Sequence, residues 1–431
     1  MRPPKPGPET DHADHDKVIL LNENLPGGLS DEQLLIAYSS RVVLTDREKS
    51  IVERLLRQDL DWDEVLTLSR RHLVTPLMYN ALSASSLLEY VPQGIREKMH
   101  RNTTGNLARN MQKRAELLRV LSALEDKGVK TVVLKGNALV HTIYGDESLR
   151  VFGDIDLLVP RGRLEAAKTV MAEMGYSTIA GVYPVPDDQN EELGCEWTYV
   201  GPAGIIVEIH WDLLDRKSSF AIAPQELIDR SEAFDLDGRE AYSLSTEDLL
   251  IHLCIHQFKH HWEQLRDLCD VNEIIRQGEV DWDVLLSRSA LTGADRCVYY
   301  TLRLAGEFLE TPVPDNVFRT FESRVRPGVV SRSVFDLVKR SVLAHEAPHG
   351  FWPVILVEGS GKKLSVIYET LLLQSRSAAA PEAGESGPPQ RRSPMKVITE
   401  SVRSVVGYRH LVYQLVSSLL RNLASSRNKR T

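Results

Sequence analysis

Asp154 and Asp156 are the residues of this chain best suited to do chemistry. They stand two apart in the run 154–159, Asp-Ile-Asp-Leu-Leu-Val. A strand turns successive side chains to opposite faces, so both carboxylates share one face while Ile155 and Leu157 share the other. Two acids held side by side repel each other. A divalent cation is the usual reason for such a pair, because Mg²⁺ takes carboxylate oxygens together with substrate phosphates. Upstream, Lys135-Gly136-Asn137 follows the apolar run Thr131–Leu134. Glycine lets backbone N–H groups approach a ligand closely, and a helix start favours anions. Lys135, Gly136 and Asn137 are therefore candidate phosphate contacts. Arg150, shortly before the acids, is a candidate for holding a γ-phosphate or an acceptor, with a salt bridge to Asp146 or Glu147 as the alternative. His252, His256 and His260 recur every four residues on one helical face. A zinc site there would need carboxylate or cysteine support at matching geometry, and none is visible, so the row reads as an interface helix or as polar contacts beside a cleft. Arg266-Asp267 reads as a pair fixing a helix turn, and Trp197 and Trp211 read as core.

The elements that must position these residues follow from pattern. Thr131–Leu134 and Asp154–Val159 read as strands, with a short helix over Asn137–Tyr144 between them. Arg163–Met174 reads as a helix with Leu164, Ala167, Val170 and Met171 inward, ended by Gly175. Tyr176–Ile179 and Glu196–Val200 read as strands, and Gly201-Pro202-Ala203-Gly204 as a hairpin turn into a further strand, Ile205–Trp211. In that strand Ile205, Val207, Ile209 and Trp211 share one face, which leaves Glu208 and His210 on the other. Before the sheet the pattern is helical. Thr45-x-x-Glu48 is a capping box ahead of Ile51, Val52, Leu55 and Leu56, Asp61 is a candidate cap, and Asn106–Asp126 is a long helical run. After the sheet, Ser245-x-x-Asp248 opens another helical stretch. Asp281-Trp282-Asp283 echoes Asp61-Trp62-Asp63. The echo reads as two similar helix starts and not a repeat architecture, because nothing else recurs at that period.

A strand, a glycine turn, a helix and a D-x-D strand together resemble the nucleotidyltransferase core of the DNA polymerase beta superfamily. LKGNAL, Arg150 and GDIDLLV resemble in particular its bacterial family of uncharacterised nucleotidyltransferases, over about Leu66–Pro314. The resemblance implies an α+β fold: a polymerase-beta-like sheet core flanked by N- and C-terminal helical regions. It also implies a third carboxylate on a later strand, a place that Glu208 fits. Asp154, Asp156 and Glu208 are then the expected catalytic and metal-binding acids. Mg²⁺ is the expected cofactor, with Mn²⁺ as the alternative. The implied reaction is transfer of a nucleotidyl group from an NTP, ATP among the candidates, to an unidentified hydroxyl-bearing acceptor with release of pyrophosphate. A non-catalytic nucleotide-binding or recruitment module on the same fold, and a phosphotransferase, are the competing readings.

The chain has 431 residues, 42% hydrophobic and 26% charged, which suits a soluble protein of two or three domains. The expected divisions are a disordered segment 1–30, a helical arm 31–126, the nucleotidyltransferase core 127–237, a helical domain 238–375, a linker 376–394 and a basic amphipathic helix 395–431. A net charge of −8 and the lack of an aromatic-laced basic stripe argue against a stable nucleic-acid partner. Four scattered cysteines read as reduced core thiols, and no apolar run is long enough to span a bilayer, so a cytoplasmic location is expected. The tail from Lys396 carries seven basic residues and one acid, Glu400. It reads either as a docking element for a partner or membrane surface, or as a last helix packed on the body.

Overall fold

The computed structural model describes residues 28–178, 194–213, 220–260 and 262–328, with scattered positions between 332 and 343. Most of the expected N-terminal segment, the linker 376–394 and the basic tail lie outside the described residues. The fold is α+β, with one seven-stranded mixed sheet and thirteen α-helices among the described residues. None of these helices is long and apolar enough to cross a membrane.

Four short helices come first: α1 Asp31–Ser39, α2 Asp46–Leu56, α3 Trp62–Arg71 and α4 Thr75–Ala84. Ser30/Gln33 and Thr45/Glu48 both form reciprocal capping boxes, which satisfies the first backbone donors of α1 and α2. Helix α5, Gln93–Asp126, then runs for 34 residues along the molecule. It leads into β1 Val132–Val133 and helix α6 Lys135–Leu139, which continues as a π-helical turn through Tyr144. Strand β2 Ile155–Leu158, helix α7 Leu164–Glu173 and β3 Ser177–Thr178 follow. Strands β4 Glu196–Val200 and β5 Ile206–His210 form the hairpin read from the Gly-Pro-Ala-Gly turn, with Gly204 at φ 74°. Helix α8 Pro224–Asp229 precedes a second hairpin, β6 Glu232–Leu236 and β7 Arg239–Ser243, turned at Asp237 and Gly238 with φ of 56° and 78°. Two left-handed residues in succession match the twist of a tight hairpin. Five helices complete the described chain: α9 Thr246–Lys259, α10 Leu265–Arg276, α11 Trp282–Thr292, α12 Asp295–Leu309 and α13 Asp315–Val325.

The sheet order is β3-β4-β5-β2-β1-β7-β6. Strand β2 pairs antiparallel with β1 and parallel with β5, and β1 also pairs parallel with β7. Alternation sorts the side chains into two cores. Val133, Ile155, Leu157, Val207 and Ile209 pack with Leu117, Val120 and Leu124 of α5 and with α7. Val132 and Leu158 point the other way and join the helical core of α1–α4 and α9–α12. The face that carries Asp156 is therefore the one the helices close over.

The echo at Asp61 and Asp281 extends through a whole four-helix unit, which corrects the reading of two similar helix starts. Leu29-Ser30-Asp31-Glu32 begins one unit and Leu244-Ser245-Thr246-Glu247 the other. Glu32 Oε1 accepts from Asp61 N at 2.9 Å, and Glu247 Oε1 from Asp281 N at 2.8 Å. Asp61 Oδ1 accepts from the amides of Asp63 and Glu64, and Asp281 Oδ1 from those of Asp283 and Val284. Left-handed Leu73 and Gly293 then close matching turns, in which Val74 N donates to Ser69 O and Ala294 N to Ser289 O. Helix α1 packs on α2, α3 and α4 as α9 packs on α10, α11 and α12. A fixed period is hidden for two reasons. Helix α9 is 14 residues where α1 is 9, and Arg276-Gln277-Gly278-Glu279-Val280-Asp281 is one residue longer than Arg57-Gln58-Asp59-Leu60-Asp61.

Candidate active site

Strand pairing places the acids. Asp156 is the Cα partner of Glu208 across the parallel β2–β5 pair, and His210 is the partner of Glu196 across β5–β4. With Ile155, Leu157, Val207 and Ile209 committed to the core beneath, Asp156, Glu208 and His210 all rise on the other face. Asp156 is 2% exposed and His210 3%. Asp156 Oδ1 accepts from Lys135 Nζ at 2.9 Å and lies 3.1 Å from His210 Nε2. The same Nε2 is 3.5 Å from Glu208 Oε2, while Nδ1 lies 3.1 Å from Glu196 Oε2. Asp154 precedes β2 and stays partly exposed, and Asn137 Nδ2 donates to its carbonyl at 3.1 Å.

The electrostatics split this cluster. Burial would raise Asp156, but the Lys135 ammonium and His210 override it and hold the carboxyl well below the usual range. Burial opposes and the same cations win at Glu196, which falls to about 2. Burial raises Asp154, and the charge of Asp156 adds to it. Burial also raises Glu208, with Glu196 and Asp156 adding repulsion against the hydrogen bond from His210. His210 is driven well above the ordinary imidazole range, since Glu196 and Asp156 outweigh its burial.

Two of the expected phosphate contacts border the cluster directly. Lys135 bonds Asp156 from a left-handed backbone, φ 43°, and Asn137 is buried under Asp154. Gly136 has a packing reason to be glycine: a Cβ there would lie 2.6 Å from the Phe152 ring and 2.8 Å from Arg150 Nη1. Arg150 does not enter the cluster, and its partner is neither Asp146 nor Glu147. Its Nε and Nη2 bond both oxygens of Asp270 on α10, at 2.8 and 2.7 Å, in full burial, and Tyr144 joins the same carboxylate. Arg266 bonds Asp267 and the Val151 carbonyl, a structural pairing. His252, His256 and His260 form the expected row on α9. Burial first, and then the Lys135 charge, pushes His252 down to about 3 and His256 well below the usual range. Both imidazoles are neutral neighbours of the acid cluster.

Sequence reading passed over several residues that hold the site. His210 was visible beside Glu208 but was given no role. Glu196 could have been found by counting back through the Gly201–Gly204 hairpin, whose register pairs it with His210. Three polar residues of α5 hold the approach to β2. Asn106 and Asn110 donate to the carbonyls of Glu147, Ser148 and Arg150, and Lys113 Nζ to that of Phe152 at 2.6 Å. Their spacing of four and three puts them on one helix face, which is the signal that could have found them.

A family model described as uncharacterised nucleotidyltransferase matches residues 58–310, more than half of the chain. The chain belongs to this family of nucleotidyltransferases. No curated protein matches it. Members of such a family imply a divalent cation, and the residues here fit one. Asp156, Glu208 and His210 each offer one ligand atom, and these atoms lie within 4.8 Å of one another. Asp154 stands beside them, where burial first and then the charge of Asp156 raise its affinity for a proton, and a cation would offset both.

Proposed function

We propose that this protein is a metal-dependent nucleotidyltransferase that moves a nucleotidyl group from an NTP to a hydroxyl-bearing acceptor. The observation that carries the reading is the direct pairing of Asp156 with Glu208 on parallel strands, with Asp154 at the mouth of the same strand. In this reading Asp154, Asp156 and Glu208 hold Mg²⁺ or Mn²⁺. When bound, the cation supplies charge neutralisation at the triphosphate and acidifies the attacking hydroxyl. The acceptor oxygen forms a bond to the α-phosphorus as the bond to the bridging oxygen breaks and pyrophosphate leaves. Glu208, across from Asp156, is the carboxylate assigned to the acceptor's proton. Lys135 offers an ammonium to the phosphate oxygens, and buried Asn137 fixes the backbone at Asp154. Phe152 and Arg150, packed on Gly136, make the floor of that turn rigid.

One observation favours a second reading. Asp156 already has two internal cations, Lys135 and His210, as a site that binds nucleotide without turning it over could have. The two readings separate in one assay. The full-length protein is incubated with each NTP, Mg²⁺ or Mn²⁺ and candidate acceptors. Pyrophosphate release and an acceptor mass increment of one nucleotidyl group are expected. Release of nucleoside diphosphate would identify a phosphotransferase. NTP binding without either product would leave the binding module standing.

A further inference from the structure

We infer that His210, giving up its Nε2 proton to solvent as the cation enters, is a nitrogen ligand of the bound cation and that Glu196 orients it, giving a site that takes Mn²⁺ in preference to Mg²⁺. The inference rests on the cation reading above and adds to it a donor that three carboxylates alone would not supply.

The register carries it. Two adjacent cross-strand rows run over the sheet: Asp156–Glu208–Thr198 and Leu158–His210–Glu196. Strand pairing thus holds the imidazole between the acid pair and Glu196. Nδ1 faces Glu196 Oε2 at an ion-pair distance of 3.1 Å without an in-line hydrogen bond, and Nε2 points between Asp156 Oδ1 at 3.1 Å and Glu208 Oε2 at 3.5 Å. A carboxylate on one imidazole nitrogen with the other turned toward a metal position is the arrangement that fixes the tautomer and orientation of a ligating histidine. The ring is 3% exposed and Glu196 is also largely enclosed, so the orientation is not averaged away by solvent. Mg²⁺ binds oxygen almost to the exclusion of nitrogen, whereas Mn²⁺ lies further along the series in which imidazole becomes a good donor. The neutral histidines of α9 are a separate set: buried His252 packs on the His256 ring, and its Nε2 has no hydrogen-bond partner among the described residues.

The test uses the full-length protein and Mn²⁺ alone, read by pulsed electron paramagnetic resonance. The wild-type complex is expected to show ¹⁴N modulation that changes to the ¹⁵N pattern when only histidine is ¹⁵N-labelled. His210→Gln is expected to abolish the nitrogen coupling, and His252→Gln to keep it. Glu196→Gln is expected to retain the coupling but weaken the Mn²⁺ Kd by about 10-fold or more. Wild-type protein should bind Mn²⁺ at least about 10-fold tighter than Mg²⁺ in competition. The labelled wild-type spectrum stands even if His210→Gln fails to fold. Bound Mn²⁺ without nitrogen coupling, coupling that survives His210→Gln in a folded variant, or no Mn²⁺ binding at all would each overturn the inference. Pyrophosphate release is scored separately, so a cation held by oxygen alone would remove His210 as a ligand and leave the transferase reading intact.

Discussion

Asp154 and Asp156 look alike in sequence and differ in what surrounds them. Asp156 is buried and accepts from both Lys135 and His210, while Asp154 is partly exposed and repelled by its neighbour. Their asparagine variants should therefore behave alike in turnover and differently in stability. Each is expected to lower pyrophosphate release by at least about 100-fold, since each removes charge at the cation. Asp156→Asn leaves part-buried Lys135 without its counter-ion and should destabilise the fold by about 3 kcal/mol. Asp154→Asn removes a repelling charge and should stay within about 1 kcal/mol of wild type, on the stabilising side. Chemical denaturation of the two variants decides it, and equal losses would show that the electrostatic split is misread. The residue scale was also where sequence reached furthest. The D-x-D alternation and the Glu208 face are period-two patterns, and a strand preserves them. Arg150 was beyond such reading because its partner, Asp270, lies on a distant helix brought near only by the fold. Local charge spacing offered Asp146 and Glu147 instead.

At the scale of elements, helix α5 does two jobs along one face. Its C-terminal half buries Leu117, Val120 and Leu124 under the sheet, and its middle uses Asn106, Asn110 and Lys113 to hold carbonyls of the segment entering β2. Those polar residues interrupt the apolar stripe, and Gly105 stands just before them, so the pattern suggested a start at Asn106 where the helix begins at Gln93. Asn106→Ala and Asn110→Ala each strip partners from buried carbonyls, at about 1–2 kcal/mol apiece. The double variant should cost more than either single one and should also reduce turnover, because Asp154 follows directly on the released segment. Melting curves and pyrophosphate release read on the same samples test this. A double variant that loses stability and keeps full turnover would confine α5 to a structural role.

Across the whole molecule, the two like-built helical units meet through charge. Arg41, fully buried after α1, pairs with Glu48 of α2, which also takes Arg276 of α10 at 2.8 Å. Val42 N donates to Glu273 beside it. Burial would raise Glu48, but Arg276 and Arg41 hold it down at about 2, against 4.5 when free. The sign follows from a depressed carboxylate: its stabilisation is complete above pH 4.5 and is lost as pH falls toward 2. Glu48→Gln is expected to cost about 3 kcal/mol at neutral pH by leaving Arg41 unpaired, and to flatten the acid limb of stability between those values. Urea titrations from pH 7 to pH 2 supply the comparison, and an unchanged acid limb would show that the clamp contributes nothing. The pairing of β1 has a further consequence, for the order of assembly. This two-residue strand lies between β2, which follows closely in the chain, and β7, which arrives only after every acid of the site has been laid down. Joining Val132 to Tyr242 closes a long loop, and such closures cost entropy before their contacts repay it. The pairing of Asp156 with Glu208 spans a shorter stretch of chain. It can form while one edge of the sheet is still open, with the second helical unit the last wall to close over it.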